Sequence, residues 1–222
     1  MTQDFPRTAV TRAVVDGIDR LALPSAPPVD GLVDYLALLS RWNRAFNLSA
    51  VRDPLEMVPR HLLDSLATLP YVEGSRLLDV GSGAGLPGIP LALCRPELQV
   101  TLLDTNGKKT RFLRQAALEL DLQQVTVVQD RIERWSTDCV FDTVIARAFA
   151  RLDQLVQGAG RLVAPGGLIL AMKGRFDGDS ETAAMPPGWG YDVETLEVPG
   201  VDAARCVVRI RRQEATSGET DG

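Results

Sequence analysis

Few residues of this chain are suited to disulfide, metal or acid–base chemistry. Its 222 residues include three cysteines and a single histidine. The cysteines, Cys94, Cys139 and Cys206, are odd in number and far apart, a pattern that fits neither a disulfide framework nor a zinc site. Each lies in an apolar context, so we expect free, buried thiols in a reducing cytoplasm and no bound metal.

Long apolar runs are missing as well. No stretch approaches the ~18 consecutive apolar residues that a membrane span requires. Residues 1–15 carry charges but lack the apolar core of a signal peptide. We therefore expect a cytoplasmic protein that does not associate with membranes.

The chain also has no excess of basic charge. Its formal net charge is −5 and its sequence pI is near 5.0, values that argue against a protein that coats nucleic acid by charge alone. A local basic face is compatible with both values. A helix predicted from about Lys108 to Glu119 carries Lys108, Lys109, Arg111 and Arg114, which form either a solvated face or a phosphate-binding surface.

Apolar spacing divides the chain into three parts. Residues 1–70 predict an N-terminal helical extension, in which apolar side chains of Val29–Arg44 recur every three or four positions. Asp53 and Pro54 predict the start of a further helix, because an N-cap acid followed by proline is a helix-start signal. Residues 71–211 predict an α/β domain, and residues 212–222 a polar, disordered tail.

Strand and helix patterns alternate from residue 76 onward, which predicts a parallel sheet with helices on both faces. A helix is predicted over roughly Leu152–Val163, and Pro165, Gly166 and Gly167 predict a turn after it. The last two strands follow each other without a helix and predict an antiparallel hairpin. The fold class expected is therefore the Rossmann-like, seven-stranded, mostly parallel sheet of class I AdoMet (S-adenosyl-L-methionine) methyltransferases. The predicted strands are Arg76–Val80, Val100–Leu103, Val125–Gln129, Phe141–Ala146, Leu168–Met172, Tyr191–Val198 and Arg205–Arg211.

The most informative stretch is a glycine-rich turn that follows the first predicted strand. Gly81, Gly83 and Gly85 let the backbone turn tightly and approach a nucleotide-like ligand at a helix N-terminus. Gly83 and Gly85, taken with Gly88, also match the dinucleotide fingerprint, which is a weak signal on its own. The turn alone therefore predicts a ligand but not its identity.

Two acids favour AdoMet over NAD as that ligand. Asp79 lies at the carboxyl end of the first strand, two positions before the first glycine, which is more typical of AdoMet-dependent methyltransferases. Its carboxylate is expected near the methionine amino group, and the alternative is an acid that caps the turn. Asp104 ends the second strand, where an acid accepts both ribose hydroxyls in either class of protein.

Further polar residues follow the later strands, at the edge where ligands bind in open parallel sheets. Ile132 and Glu133 are placed to bracket an adenine, although Glu133 is alternatively a surface charge. Arg147 follows the fourth strand. Lys173 ends the fifth, where it either contacts a substrate phosphate or is a solvated charge. The single histidine, His61, lies in a predicted helix with Asp64 three residues later, so we expect Asp64 to orient the imidazole ring.

The chain resembles the bacterial small-subunit ribosomal RNA methyltransferase family RsmG, also called GidB, from about Asp34 to Ile210. A glycine-rich turn is common to many enzymes, so the resemblance depends on a set of segments that occur in a specific order along the chain. They are Trp42–Leu48, Val51–Pro54, Arg60–Ser65, Gly85–Leu91, Leu103–Asp104 with Lys108–Leu113, and Arg147–Ala150.

The resemblance implies transfer of a methyl group from AdoMet to N7 of a guanosine in the 530 loop (position 527) of 16S rRNA, without a metal. Carried over by position, the AdoMet contacts would be Gly81, Leu86, Ile132, Glu133 and Arg147. Asp79, Gly83, Gly85 and Asp104 fit the wider methyltransferase pattern.

Guanine N7 carries a lone pair and no proton, so its methylation requires positioning but no general base. We accordingly expect Asn47, His61 and Asp64 to be positioning residues near the guanine or the cofactor. Arg147 and Lys173 are expected to hold rRNA phosphate or the guanine O6 atom. The acidic pI favours the assembled 30S particle over naked 16S rRNA as substrate, and a monomeric enzyme is expected.

Two other functions compete with this one. An AdoMet-dependent enzyme acting on a small molecule predicts a deep, closed pocket and no use for the basic helix at 108–114. A ribosome-assembly factor without enzymatic activity predicts no binding of AdoMet, which calorimetry detects.

Overall fold

The computed structural model describes residues 5–23, 26–149 and 151–213, so most of the predicted tail, residues 214–222, lies outside them. The α-helices are α1 (Arg7–Leu21), α2 (Val29–Phe46), α3 (Pro54–Met57), α4 (Asp64–Leu66), α5 (Gly88–Cys94), α6 (Gly107–Glu119), α7 (Leu152–Ala159) and α8 (Gly178–Thr182). The strands are β1 (Arg76–Val80), β2 (Gln99–Asp104), β3 (Val125–Gln129), β4 (Phe141–Arg147), β5 (Val163–Lys173), β6 (Trp189–Thr195) and β7 (Cys206–Arg212).

The strands form one sheet in the order β3-β2-β1-β4-β5-β7-β6. The first five are parallel, and β7 pairs antiparallel with both β5 and β6. This arrangement confirms the predicted fold class, including the terminal hairpin. Within the described residues, no helix is long and apolar enough to cross a membrane.

Alternating side chains of the central strands separate the core into two layers, as the two-residue period of a strand requires. Leu77 of β1 and Ile145 of β4 belong to the layer under α1, α2, α5 and α6. Their neighbours in sequence, Leu78 and Val144, belong to the layer under α7. Helices therefore cover both faces, which explains why the strands are almost continuously apolar.

The N-terminal helices share the first of these layers with the sheet. Tyr35 of α2 is fully buried there, and its hydroxyl donates to the carbonyl oxygen of Ala84 in the glycine-rich turn at 2.7 Å. An ion pair between Arg41 of α2 and Glu119 of α6, 2.7 Å long, makes a second connection. The helical segment thereby helps to fix the turn in which the ligand was predicted.

The helix predicted after Asp53 begins as expected but changes its winding. Asp53 caps it by accepting from the Leu55 amide at 2.9 Å, and Pro54 occupies the first position. Val58–Leu63 then forms a π-helical segment before α4. Such wider turns are frequent at functional sites, and this one contains His61.

Three other expectations are wrong in detail. The predicted turn at Pro165–Gly167 lies inside β5 as an irregularity of its pairing with β4, with Gly166 at a φ of 75°. The helix predicted to reach Val163 ends at Ala159 and continues as a 3-10 turn, Gly160–Leu162. All three cysteines are free, but only Cys206 is buried, since Cys94 is half-buried and Cys139 is exposed.

The carboxyl ends of the parallel strands meet at one edge of the sheet. The strand order reverses between β1 and β4, and ligands of open α/β sheets bind outside such a switch point. Asp104, Arg147 and Lys173 are the last residues of β2, β4 and β5, so the fold brings all three to this edge.

Candidate functional site

The glycine-rich turn between β1 and α5 has the backbone conformation that the sequence predicts. Gly81, Gly83 and Gly85 have φ values of 72°, 59° and 86°, in the left-handed region that favours glycine. The amides of Gly81 and Ser82 both donate to the carbonyl oxygen of Leu103, at 2.8 and 3.1 Å. These bonds hold the turn against the end of β2.

Asp104 fixes the turn from the same side. One carboxylate oxygen accepts from the Gly83 amide at 2.9 Å, and the other accepts from the Asn106 amide at 2.8 Å. The Lys109 ammonium lies 4.0 Å from the carboxylate. Each carboxylate oxygen can accept a second hydrogen bond, so the group retains acceptor capacity for a ligand hydroxyl.

A cavity of about 320 Å³ opens beside this turn, and we call it the glycine-turn cavity. It brings together five of the residues predicted to bind AdoMet: Gly81, Asp104, Ile132, Glu133 and Arg147. Its remaining lining residues are Val80, Leu103, Thr105, Lys109, Asp130, Arg131, Ala148 and Phe149. A Cβ added at Gly81 would meet no protein atom within 4 Å, so open space lies beside that glycine.

Four of the nine predicted cofactor residues do not line this cavity: Asp79, Gly83, Gly85 and Leu86. Gly85 and Leu86 are both buried. Their backbone amides both donate to the carbonyl oxygen of Ser82. A Cβ at Gly85 would lie 2.4 Å from Ile89, so this glycine permits close packing of the turn on α5. The geometry gives these residues a role in shaping the turn.

Asp79 is fully buried beneath the turn. One carboxylate oxygen accepts from the Gly88 amide at 3.0 Å, and the other has no hydrogen-bond partner among the described residues. Burial raises the pKa of Asp79 to about 7, against the opposing effects of the Gly88 amide and the Arg147 charge. The unpartnered oxygen is a site at which a ligand ammonium group would be favourable.

A second cavity, of about 350 Å³, adjoins the first and shares Arg147 and Ala148 with it. Its lining is rich in arginine, so we call it the arginine cavity. The other lining residues are Val51, Arg60, His61, Asp64, Met172, Lys173, Gly174, Leu196, Arg205 and Cys206. Ala148, between the two cavities, has a φ of 58°, and strained backbone of this kind concentrates at functional sites.

The imidazole of His61 is held by two neighbours. Its Nδ1 lies 2.9 Å from the carbonyl oxygen of Arg60, which only accepts, so Nδ1 carries the proton. Its Nε2 lies 2.6 Å from the Ser49 hydroxyl and accepts from it. Burial lowers the pKa of His61 to about 4, assisted by the charges of Arg147 and Arg60 and opposed by the hydrogen bond to the Arg60 carbonyl.

Asp64 does not orient His61, contrary to the sequence-based expectation. One of its oxygens accepts from Arg205 Nε at 3.0 Å, and the other lies 3.6 Å from Arg147 Nη1. Burial raises the pKa of Asp64, and the two guanidinium charges oppose that rise. Arg205 was missed because it lies 141 residues from Asp64, and no local pattern marks such a contact.

Asn47 lies at the C-terminus of α2 in the left-handed conformation, lines neither cavity, and accepts from Arg52 at 2.8 Å. Asn43, which lies in the same segment but was assigned no role from the sequence, has the larger structural role. Its amide donates to the Val51 carbonyl at 2.9 Å and accepts from the Ser49 amide at 2.8 Å. Asn43 thereby shapes the loop that brings Ser49 to His61.

Lys173 lines the arginine cavity, but its ammonium group is already engaged. It forms an ion pair with Glu181 of α8 and donates to the Phe149 carbonyl oxygen at 2.9 Å. Only 9% of the Lys173 side chain is exposed. Lys173 therefore secures the segment that follows Arg147 and adds little net charge to the cavity.

A shallow groove of about 720 Å³ runs along α6, and we call it the α6 groove. Lys108, Arg111 and Arg114 lie along it, exposed and three residues apart, which places them on one side of the helix. None of the three forms an ion pair with a described residue. The groove therefore presents uncompensated positive charge beside the glycine-turn cavity, to which Lys109 belongs.

Residues 29–203 of the chain match a family model described as rRNA small subunit methyltransferase G. A protein of Alkalilimnicola ehrlichii named Ribosomal RNA small subunit methyltransferase G is 56% identical over 195 residues, which cover 87% of this chain and 88% of that protein. A protein of the same name from Xanthomonas oryzae pv. oryzae is 47% identical over 204 residues, covering 91% and 95%.

Among solved structures, the N-methyltransferase NodS from Bradyrhizobium japonicum in complex with S-adenosyl-L-homocysteine is similar in fold. It aligns with a TM-score of 0.55 at 16% identity, covering 80% of this chain and 99% of that one. At this level of identity the likeness shows the fold alone.

The state of His61 is directly measurable because it is the only histidine of the chain. We expect nitrogen-detected NMR of the folded protein to show a neutral ring protonated at Nδ1, with no titration above about pH 4. The urea-unfolded protein should titrate near the usual 6.5. Between these values only the unfolded chain gains a proton, so His61 makes the protein less stable as the pH falls. Titration near 6.5 in the folded protein would contradict this description.

Asp79→Asn tests the burial of Asp79. Its pKa in the folded protein, about 7, exceeds the usual 3.8, so between these values the folded state keeps a proton that the unfolded state releases. The contribution of Asp79 to stability is therefore full below pH 3.8 and is lost as the pH rises towards 7. Urea unfolding should therefore show that Asp79→Asn becomes more stable relative to the wild type as the pH rises across that range. Asp16→Asn, at an exposed site of α1, is the control, and a pH-independent difference for Asp79→Asn would refute the assignment.

Proposed function

The chain belongs to the rRNA small subunit methyltransferase G family, and on that premise we propose that it transfers the methyl group of AdoMet to N7 of a guanosine in the 530 loop (position 527) of 16S rRNA. The observation that carries this proposal is the pair of adjoining cavities that share Arg147 and Ala148. One cavity is suited to the methyl donor and the other to the acceptor nucleotide.

The residues of the glycine-turn cavity fit AdoMet. Asp104 has acceptor capacity for ribose hydroxyls, and the open space beside Gly81 admits a ligand against the backbone. Ile132 and Glu133 are assigned to the adenine, as an apolar contact and an acceptor. The unpartnered oxygen of Asp79 favours an ammonium group nearby, reached directly or through water. AdoMet supplies, when bound, an electrophilic methyl group on a sulfonium.

The arginine cavity fits an acceptor that needs no deprotonation. Its only histidine is neutral, with Nδ1 donating to a carbonyl and Nε2 accepting from Ser49. Its only carboxylate, Asp64, is held by two arginines. Neither group is free to remove a proton. Guanine N7 has a lone pair and no proton, so positioning alone is sufficient for its attack on the methyl carbon.

Arg147 occupies the boundary between the donor and acceptor cavities. Its guanidinium is fixed by Asp64, and its side chain is 26% exposed. We assign to Arg147 the alignment of donor and acceptor, because it is the charged residue that lines both cavities. His61, with Ser49, forms a rigid neutral wall of the acceptor site.

The α6 groove supports a large ribonucleoprotein substrate over a small molecule. Its three exposed basic residues suit contacts to RNA phosphates, which position a protein without reading sequence. The net charge of −5 makes general attraction to RNA weak, so we expect specific contacts within an assembled particle. The preferred substrate is therefore the 30S particle.

The test is mass mapping of 16S rRNA from cells lacking this gene, followed by methylation in vitro. We expect the deletion to remove a single N7-methylguanosine, at position 527, and the wild-type gene to restore it. The purified protein should methylate 30S particles from the deletion strain faster than protein-free 16S rRNA. An unchanged methylation map would overturn the proposed function, and equal rates on both substrates would overturn the preference for the particle.

A further inference from the structure

The arginine cavity carries more positive charge than its own carboxylate neutralises. Arg60, Arg147 and Arg205 line it together with a single acid, Asp64, while the charge of Lys173 is matched by Glu181. The cavity therefore has an excess of two positive charges. Partly enclosed charges of one sign repel one another unless a ligand of the opposite sign neutralises them.

Two excess positive charges would be unfavourable in a site that contacts only the guanine base. Methylation at N7 leaves a positive charge on the guanine ring, and uncompensated guanidinium groups around that ring would oppose its formation. An anionic group brought in with the base removes this conflict. A nucleotide within RNA carries such a group on each side, in its phosphodiesters.

Arg205 is oriented for this role. Its Nε donates to Asp64 at 3.0 Å and its Nη1 donates to the Ala204 carbonyl at 2.9 Å. These two bonds fix the plane of the guanidinium, and donors remain on the same group. A planar guanidinium held in this way is suited to bidentate recognition of phosphate.

Arg60 complements Arg205 from the π-helical segment. It is exposed, lines the same cavity, and forms no ion pair with any described residue. Because its backbone carbonyl accepts from His61 Nδ1, the chain at Arg60 is anchored while the side chain remains available.

We infer that Arg60 and Arg205 together bind the phosphodiester that flanks the acceptor guanosine, with Asp64 as the positioning residue for Arg205. This inference rests on the proposed function, since it assumes that the acceptor is a nucleotide within RNA. The anionic backbone of the substrate then has a defined binding site, and Arg147 remains at the boundary between the two cavities.

The test uses Arg60→Ala, Arg205→Ala and Arg205→Lys with 30S particles from the deletion strain. Loss of one charge-assisted hydrogen bond should raise KM for the particle about tenfold. We expect kcat of Arg60→Ala and Arg205→Lys to stay within about twofold, because the phosphate contact is the same in ground and transition states. The slope of log affinity against log salt should fall by about 0.7 for each alanine variant. Arg205→Lys keeps the charge, so it should restore the slope but not the full affinity.

Two arginines serve as matched controls. Arg209 lies in β7, four residues after Arg205, and pairs with Asp192 and Glu194, and Arg12 is an exposed arginine of α1. Neither lines the glycine-turn cavity or the arginine cavity, so Arg209→Ala and Arg12→Ala should leave KM and the salt slope unchanged. Calorimetric AdoMet binding reports whether each variant is folded. Because Arg60 is exposed, its variant keeps the test valid if Arg205→Ala does not fold.

The inference is overturned if Arg60→Ala and Arg205→Lys both leave KM and the salt slope at wild-type values. It is also overturned if kcat falls while the slope is unchanged, because the arginines would then act on the base. Filter binding of the variants to 30S particles measures the same slope without methyl transfer. A wild-type protein that binds the particle but does not methylate it would therefore refute the proposed function separately.

Discussion

The carboxylate of Asp64 joins three parts of the chain that are far apart in sequence. It contacts Arg147 at the end of β4 and Arg205 just before β7, and it lies immediately after the π-helical segment. Removing one partner of a partly buried ion pair leaves an uncompensated charge, which is strongly destabilising. The arginine cavity, its boundary with the glycine-turn cavity and the orientation of Arg205 all depend on this one group.

A second constraint is the anchoring of the glycine-rich turn. Asp104 and the Leu103 carbonyl hold it from β2, and the Tyr35 hydroxyl holds it from α2. The N-terminal helices therefore support the glycine-rich turn and also line the arginine cavity, to which they contribute His61 and Asp64. The N-terminal helices and the sheet also share one hydrophobic core.

Sequence patterns predicted the parts of the molecule that local periodicity controls. The bounds of β1 and β3 were predicted to the residue, because each strand is apolar and flanked by clear turn signals. The glycine-rich turn and its two acids were found through local spacing. The winding of Val58–Leu63 could not be predicted, since it depends on packing around His61 and Asp64. Pro165–Gly167 predicted a turn, but pairing of β5 with β4 incorporated these residues as an irregularity within the strand.

In the candidate site too, residues marked by local patterns were predicted and residues that act through long-range contacts were not. Asp104 and Arg147 lie at strand ends, so sequence alone placed them at the correct edge of the sheet. Arg205, Asn43 and Ser49 act through contacts that only the folded chain creates. The partner of Asp64 was predicted wrongly because helical spacing suggested His61, whereas the buried carboxylate is neutralised by guanidinium groups instead. Charge neutralisation in a buried setting outweighs proximity along a helix.

We propose that the methyl donor and the acceptor nucleotide occupy the two adjoining cavities that share Arg147 and Ala148. The most direct measurement is a structure of the protein bound to a 30S particle in the presence of S-adenosyl-L-homocysteine. The account predicts the thioether in the glycine-turn cavity and an unstacked guanosine in the arginine cavity, with N7 directed at the sulfur. A guanosine bound outside the arginine cavity, or bound there with a different edge towards the sulfur, would contradict it.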